Sequence, residues 1–193
     1  KDCPGQSFQA RRLLQYLKSS LDDDGDILLE TYLLSWDQLQ RVRNHKLCSE
    51  QTHLLAYRSV RSMVEAELKA GVVNFSYRTD SGCRTLLRLH RSLLWLKLML
   101  EGLSEGNCRV ANLCFVFRDA YRAALAPHHS WMLRQAAEIV FLALPERDYF
   151  LKLVCVQTQQ EATPILRIII QALTLVHTQT QRILAEHELL ELP

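Results

Sequence analysis

The sequence contains none of the short motifs that mark common enzyme classes. It has no GxSxG, no P-loop, no GxGxxG and no HExxH. Its acidic residues lie in polar clusters and not as an isolated pair in apolar surroundings, which is where general acid and base catalysis is usually built. The pattern indicates a protein that is not an enzyme, and no cofactor is expected.

A strong charge of one sign and long apolar runs are also missing. The formal net charge is only +2, which gives no general reason to expect a nucleic-acid partner. The most apolar stretch is interrupted by Arg84, Arg88, Arg91 and Lys97, so no segment is expected to span a bilayer. Because the sequence opens on Lys1, a signal or anchor upstream is left open.

Cysteines are sparse, and no two of them form a CxxC pair. A structural zinc site is therefore not expected, and neither is a scaffold stapled by disulfides. We interpret the cysteines as reduced residues of helices and of the core. Reduced cysteines agree with a cytoplasmic protein, although an upstream signal would overturn this interpretation.

Glycine and proline are scarce, with 6 and 5 residues, and most of them lie between segments of periodic apolar residues. The spacing predicts an all-α protein without strands or internal repeats. A length of 193 residues suits one domain, and we expect its ordered helical core over about residues 7–193.

The predicted helices span about residues 7–21, 27–43, 54–71, 81–103, 107–125, 130–144, 148–156 and 163–190. We interpret the acidic cluster Asp22–Asp26 as a turn that ends the first helix, residues 44–49 as a connection, and Gly71 as the C-cap of the third helix. Pro164 is expected near the first turn of the last helix.

A narrow basic stripe is the most informative pattern. At about 100° per residue, Arg84, Arg88, Arg91 and Trp95 fall within roughly 60° of one helix face. Guanidinium groups bind phosphate oxygens in bidentate fashion, so two of them one turn apart can hold one anionic headgroup. The spacing equally allows a solvated face whose arginines pair with surface carboxylates.

A second cluster, PHHSW, contains His128, His129 and Trp131. Adjacent histidines seldom point at one ion, and no third ligand follows at a suitable spacing, so no metal is expected. A neutral histidine at a helix entry can donate a hydrogen bond to a ligand carbonyl, and a tryptophan can lie at a membrane interface. Two surface histidines and a core tryptophan are the alternative.

Several segments spread over most of the chain share motifs with one family. The clearest is SGCRTLLRLHRSLLWLKLMLEGL at Ser81–Leu103. The others are YLLSWDQL at Tyr32–Leu39, YRSVRSMVEAEL at Tyr57–Leu68, AYRAALAPHHSW at Ala120–Trp131 and AEHELLELP at Ala185–Pro193. Together they resemble the glycolipid transfer protein superfamily, in particular its ceramide-1-phosphate transfer protein branch.

The resemblance implies a two-layer helical sandwich that takes lipid chains into an apolar pocket and binds the headgroup at a surface site. Carried over by position, it assigns the phosphate to Arg84 and Arg88 and the ceramide amide to His129. It places Trp95 by the headgroup and Trp131 near a membrane-facing entrance. Two arginines favour a phosphate headgroup, because a sugar is recognised by neutral hydrogen bonds and stacking.

The sequence departs from the family pattern between Trp36 and Tyr57. There the family carries a recognition helix with an aspartate for the sphingoid amide and hydroxyl and, one turn later, a lysine for the phosphate. This chain has the shorter RVRNHKLCSEQTHLLA, without a counterpart of either residue. Loss of a helix would expose apolar surface, so we expect a lower stability than that of a full-length relative.

The function implied by the resemblance is non-enzymatic transfer of ceramide 1-phosphate between membranes by a cytoplasmic monomer that docks transiently on their surfaces. A glycolipid carrier of the same fold is one alternative. A lipid sensor or interaction protein that binds without transferring is another. Arg78, beside Phe75 and Tyr77, is a candidate membrane contact, with a plain surface loop as the alternative.

Overall fold

The computed structural model describes residues 9–39, 56–105, 113–143, 150–152 and 154–193. This part of the chain is helical, and the all-α prediction is confirmed. Its α-helices are α1 (Ala10–Ser20), α2 (Leu29–Leu39), α3 (Val60–Lys69), α4 (Gly82–Ser104), α5 (Leu113–Ala124), α6 (Trp131–Leu142) and α7 (Gln159–Glu186). Short 3₁₀ turns at Ala126–His128 and Leu189–Glu191 follow α5 and α7.

The chain divides into two compact units. Unit I comprises residues 11–90 and 174–193, and unit II comprises residues 1–10 and 91–173. Helices α4 and α7 contribute residues to both units. Among the described helices, none is both long and apolar enough to cross a membrane.

The core of unit I consists of apolar residues that recur at helical spacing. Leu13 and Leu17 lie one turn apart on α1 and are buried, as are Val60 and Val64 on α3. The end of α7 contributes Ile183 to the same unit, and its side chain is also buried. Each such residue contributes about 1.5–3 kcal/mol by leaving water, so this periodic pattern is what makes the helices amphipathic and stable.

The acidic segment after α1 forms the tight turn that the sequence predicts. Gly25 adopts a left-handed backbone conformation (φ 73°), and the backbone N–H of Asp22 donates to the carbonyl of Asp26 at 3.0 Å. The Asp26 carboxylate accepts from the backbone N–H of Arg61 at 3.1 Å. Arg182 donates to the Gly25 carbonyl at 2.8 Å. The turn is therefore joined to α3 and to α7.

Helix α3 begins later than the spacing predicts and ends close to the predicted residue. Its start is fixed by a capping box, in which the Ser59 hydroxyl accepts from the backbone of Ser62 and the Ser62 hydroxyl accepts from the backbone of Ser59. At the other end, Gly71 (φ 69°) donates its backbone N–H to the carbonyl of Leu68 at 3.1 Å. Gly71 is therefore the helix terminator that the sequence predicts.

Helix α7 begins and ends before the predicted residues. It begins at Gln159 and not at Thr163, because the hydroxyl of Thr158 accepts from the backbone of Glu161 at 3.3 Å and caps the first turn. Pro164 consequently lies inside the helix and not at its first position. The helix stops at Glu186, before the predicted end at residue 190, because Glu188 adopts φ 59°.

Unit II has an aromatic core. Phe117 and Tyr121 lie one turn apart on α5, both buried. Phe117 packs against Phe150 with ring centroids 5.2 Å apart, and Tyr121 packs edge-on against Phe141 of α6 at 5.4 Å. Such aromatic pairs contribute about 0.5–1.5 kcal/mol beyond burial, which fixes α5 against its neighbours within the unit.

The cysteines only partly follow their predicted state. Cys83 and Cys114 carry free thiols, as expected. Cys155 is disulfide-bonded, so the prediction of reduced cysteines is wrong at this residue. Cys155 lies in an exposed turn with φ 59° and not in a helix or a core. Helix-like sequence around a cysteine therefore does not establish that its thiol is reduced, because the cysteine itself can lie in an exposed turn.

Other predicted boundaries fall outside the described part of the chain. These are the start of the first helix near residue 7, the end of the second at residue 43, the connection at residues 44–49, and the helix bounds near residues 107, 144 and 148. The segment proposed to lack the recognition helix, residues 41–56, also lies outside it except for its last residue. The single-domain prediction is not tested by these observations.

The capping box makes a testable prediction. Replacing Ser59 with Ala removes the side-chain acceptor at the start of α3, and we expect the free energy of unfolding to fall by about 1 kcal/mol. Ser76→Ala, in the exposed loop before α4, is the matched control and should leave the thermal midpoint unchanged. Equal melting of both variants and the parent protein would show that the cap is not stabilising.

Candidate functional site

The amino terminus of α4 is held by a carboxylate from α3. Glu67 is buried, with only 5% of its surface exposed. Its carboxylate accepts from the backbone N–H groups of Gly82 at 2.7 Å and Cys83 at 2.8 Å, and from the Tyr57 hydroxyl at 2.8 Å. An anionic group at this end of a helix satisfies unpaired N–H groups and opposes the positive end of the helix dipole.

Gly82 leaves room for the carboxylate and for the Met63 side chain, both of which would have to shift if a side chain were added there. A Cβ added to Gly82 would lie 2.8 Å from the Glu67 Oε1 atom and 2.7 Å from the Met63 sulfur. Ser81, the preceding residue, accepts from the backbone N–H of Arg84 at 3.2 Å through its hydroxyl. The SGCR motif is thus the local sequence that starts the arginine-bearing helix.

The groups around Glu67 remain protonated near neutral pH. Burial raises the pKa of Tyr57 to about 12, and the hydrogen bond to Glu67 adds to the shift. Burial also raises the pKa of the Cys83 thiol, again with a contribution from Glu67. Both groups therefore stay neutral and can donate to the carboxylate.

Arg84 and Arg88 lie one turn apart on α4, as the sequence predicts. Arg84 is half-buried, and its Nε–H donates to the main-chain oxygen of Pro193 at 3.1 Å. Within the described residues, no Asp or Glu side chain forms an ion pair with Arg84. Arg88 is exposed. Both belong to unit I, where they present two fixed positive charges on one helix.

Trp95 and His129 both pack against α5 in unit II. The indole N–H of Trp95 donates to the Phe117 carbonyl at 3.4 Å, and the two rings meet edge-on with centroids 6.1 Å apart. One turn along α5, the Tyr121 hydroxyl lies 2.9 Å from the Nδ1 atom of His129. The same helix thus orients both side chains.

The contact with Tyr121 has a chemical consequence for His129. Burial raises the pKa of Tyr121, so its hydroxyl keeps its proton. When this hydroxyl donates to Nδ1, the imidazole carries its hydrogen on Nε2. A neutral imidazole of this tautomer can donate to an amide carbonyl, which is the role that the family resemblance implies for His129.

Trp131 and Arg78 lie on exposed surfaces. Trp131 opens α6, where Ser130 caps the helix through a 3.4 Å bond from the backbone of Leu133, and 67% of the tryptophan surface is exposed. Arg78 lies in the exposed loop before α4, close in sequence to the exposed rings of Phe75 and Tyr77. Within the described residues, no group of three or more His, Cys, Asp or Glu side chains could hold a metal ion.

Three groups that position the candidate site residues were not predicted from the sequence. Tyr121, eight residues before His129, could have been suspected from AYRAALAPHH, since it lies within the same matched motif. Glu67 could have been suspected from helical spacing, because it shares a helix face with Val60, Met63 and Val64, whereas Glu65 lies off that face. The main-chain oxygen of Pro193 carries no sequence signal at all.

The fold and its relatives define the class of this protein. The glycolipid transfer protein family model matches residues 34–156. The ceramide-1-phosphate transfer protein of Xenopus laevis is 37% identical over 213 aligned positions, which cover 97% of this chain and 98% of the relative. The chain therefore belongs to the glycolipid transfer protein family, and the resemblance seen in its sequence motifs is confirmed.

Solved structures agree with this assignment. The crystal structure of mouse ceramide-1-phosphate transfer protein in its apo form has a TM-score of 0.85 and 33% identity, covering 96% of this chain and 100% of that one. The human ceramide-1-phosphate transfer protein in complex with 12:0 ceramide-1-phosphate has a TM-score of 0.81 and 32% identity, covering 94% and 97%. The expected fold type is thereby confirmed.

The alignment with the Xenopus protein also shows that this chain is shorter. It runs over 213 positions, whereas the chain has 193 residues, so at least twenty positions are opposite gaps in this chain. The sequence motifs predict that this shortening lies between Trp36 and Tyr57.

The Glu67 cap leads to a second prediction. In Glu67→Gln one carboxylate oxygen becomes an NH₂ donor that faces backbone N–H groups, so we expect the free energy of unfolding to fall by about 1–3 kcal/mol. Glu65→Gln is the matched control, since Glu65 lies on the same helix and is exposed. Denaturant unfolding measures both, and a loss of the same size in the control would remove any special role for Glu67.

Proposed function

We propose that this chain binds ceramide 1-phosphate and carries it between membranes without catalysing a reaction. The observation that carries the proposal is the arginine pair on α4, where Arg84 and Arg88 stand one turn apart within a motif of the family. The names of the relatives and the lipid bound in the human structure support the same ligand.

Charge and geometry favour a phosphate over a sugar. Guanidinium groups form charge-assisted, bidentate hydrogen bonds to phosphate oxygens, which are about twice as strong as bonds between neutral groups. A neutral sugar headgroup forms no charge-assisted bond with either guanidinium group, so the arginine pair would contribute less to its binding. A glycolipid carrier of the same fold is therefore the weaker candidate.

His129 is proposed to recognise the amide that every ceramide carries. Its Nδ1 is engaged by the Tyr121 hydroxyl at 2.9 Å, so its Nε2–H is the group that would donate to the amide carbonyl. Trp95 is proposed to lie beside the headgroup as a rigid apolar wall, because its indole is already fixed by α5. His129 and Trp95 would therefore contact neutral parts of the lipid, whereas the arginines would bind the charged phosphate.

Transfer of fluorescent ceramide 1-phosphate between vesicles tests the proposal. We expect transfer by the parent protein, with Arg84→Leu/Arg88→Leu reducing the rate at least about tenfold because each arginine contributes charge-assisted hydrogen bonds. Arg167→Leu, an exposed arginine of α7, is the matched control and should transfer normally. Galactosylceramide measured in parallel gives the headgroup selectivity.

Each result of that assay has a defined meaning. Equal transfer of galactosylceramide and ceramide 1-phosphate would favour the glycolipid carrier. Tight binding of the phosphate lipid without exchange would identify a sensor, in which the shortened segment had removed turnover but not recognition. Uptake that is unchanged in the double arginine variant would refute the assignment of the site.

Membrane docking is proposed for the exposed face of α6. Trp131, Met132, Ile139 and Leu142 are each at least two-thirds exposed, which is unusual for apolar side chains of one short helix. Exposed apolar side chains concentrated on one helix are typical of an interaction site, and a tryptophan is favoured at the lipid–water boundary. Arg78 in the loop before α4 would add attraction to anionic lipids.

Matched leucine substitutions test the docking face. Leu142→Ala, on α6 and 78% exposed, should weaken partition onto anionic vesicles about tenfold, because several carbon atoms no longer enter the membrane. Leu175→Ala, on α7 and 56% exposed, should not. Vesicle sedimentation measures both, and equal behaviour of the two variants would exclude α6 as the docking face.

The proposed location is the surface of membranes, with the protein acting as a monomer. A cytoplasmic setting remains an expectation from the family alone. The disulfide at Cys155 removes the support that reduced cysteines would have given, because structural disulfides are rare in the cytosol.

A further inference from the structure

We infer that the segment Leu189–Pro193 is a positioning device for Arg84, in which the main-chain oxygen of Pro193 orients the guanidinium for end-on binding of phosphate. The inference rests on the proposed function, since it assigns a role within the proposed headgroup site. All the groups involved belong to unit I, and the contact that carries it is the 3.1 Å bond from the Arg84 Nε–H to Pro193.

The acceptor is held firmly by its own segment. Glu188 adopts φ 59° and turns the chain away from the axis of α7. The 3₁₀ turn Leu189–Glu191 follows, closed by a bond from the backbone of Leu192 to the carbonyl of Leu189 at 3.4 Å. Leu189 is fully buried and Leu192 is 6% exposed. Two apolar anchors therefore fix the position of the Pro193 main chain.

The arginine is held equally firmly at its backbone. Its N–H donates to the Ser81 hydroxyl at 3.2 Å, and the preceding residues of α4 donate to the buried carboxylate of Glu67. An arginine side chain with free rotamers loses conformational entropy when it binds a ligand. With both its backbone and its Nε restrained, Arg84 has already lost much of that freedom before a ligand arrives.

The choice of nitrogen determines how the ligand can approach. A guanidinium group offers phosphate either its Nε–H edge or the end formed by its two terminal NH₂ groups. Because Pro193 occupies Nε, the end of the fork is the part available for two parallel bonds to phosphate oxygens. Lysine could not substitute for this arrangement, since its ammonium has no second donor edge with which to hold the main chain.

The bond is not needed to fix the segment itself, because Leu189 and Leu192 already anchor it in the core of unit I. The bond between Arg84 and Pro193 is therefore expected to affect the orientation of Arg84 more than the stability of the segment. This distinction separates a positioning role from a structural one, and it can be measured as the coupling between two changes.

The experiment is a double-mutant cycle on binding of a short-chain ceramide 1-phosphate, followed by tryptophan fluorescence. A stop after Leu192 removes the acceptor and keeps both apolar anchors, and Arg84→Lys keeps the charge but removes the Nε–H. The truncation should raise Kd about three- to tenfold in the parent protein, as expected for one hydrogen bond. In the Arg84→Lys background it should change Kd less than about twofold, which is the usual error of additivity.

Two further measurements guard against a folding defect. Thermal melts establish whether the truncated chain is folded, and the NMR signal of the Arg84 Nε–H reports its hydrogen bond without any lipid. That signal should be protected from exchange with water in the parent protein and lose its protection on truncation. Leu192→Ala, which loosens the anchor and retains the acceptor, should raise Kd in the parent protein but not in the Arg84→Lys background.

The outcomes are distinguishable. Equal losses of affinity in both backgrounds would mean a structural role and would overturn the inference. Unchanged affinity in the truncated parent, or an Nε–H that exchanges freely in the untruncated protein, would also overturn it while leaving the proposed function intact. If the parent protein binds no phosphate lipid although it is folded, the proposed function fails and the positioning role fails with it.

Discussion

The amino terminus of α4 depends on a carboxylate that another helix supplies. Glu67 of α3 accepts from two backbone N–H groups at the start of α4 and from the Tyr57 hydroxyl. Gly82 leaves room for the carboxylate, because a Cβ there would lie 2.8 Å from its Oε1 atom. The buried carboxylate thus fixes the start of the helix that carries Arg84 and Arg88.

The charged groups of unit I divide into two kinds. Glu67 is buried and fully engaged with backbone donors, so its charge serves to fix a helix. Arg84 is half-buried and engaged at one nitrogen only by a main-chain oxygen, so its charge remains to be neutralised by something outside the described residues. A carboxylate that satisfies backbone donors, and an arginine that no carboxylate of the described residues neutralises, are the arrangement on which the proposed phosphate site rests.

In unit II, the candidate site residues are held by aromatic residues of the core and not by a buried charge. Phe117 and Tyr121 of α5 hold Trp95 and His129 through a carbonyl and a hydroxyl. Removing the Tyr121 hydroxyl would leave the ring packing intact, but nothing from Tyr121 would then favour the His129 tautomer that carries its hydrogen on Nε2. The amide recognition proposed for His129 would therefore depend on Tyr121, whose ring is buried in the apolar core of the unit.

The sequence by itself determined the helical class, the arginine pair and the family, because these depend on periodicity and on local motifs that survive without tertiary context. It also determined the turn at Asp22–Asp26 and the terminator Gly71. Only the tertiary structure decided that Glu67 caps α4, that Tyr121 lies against His129, that Pro193 reaches Arg84, and that Cys155 forms a disulfide. Each of these contacts joins residues from separate elements or depends on how the chain turns, and no local pattern records which distant groups will meet.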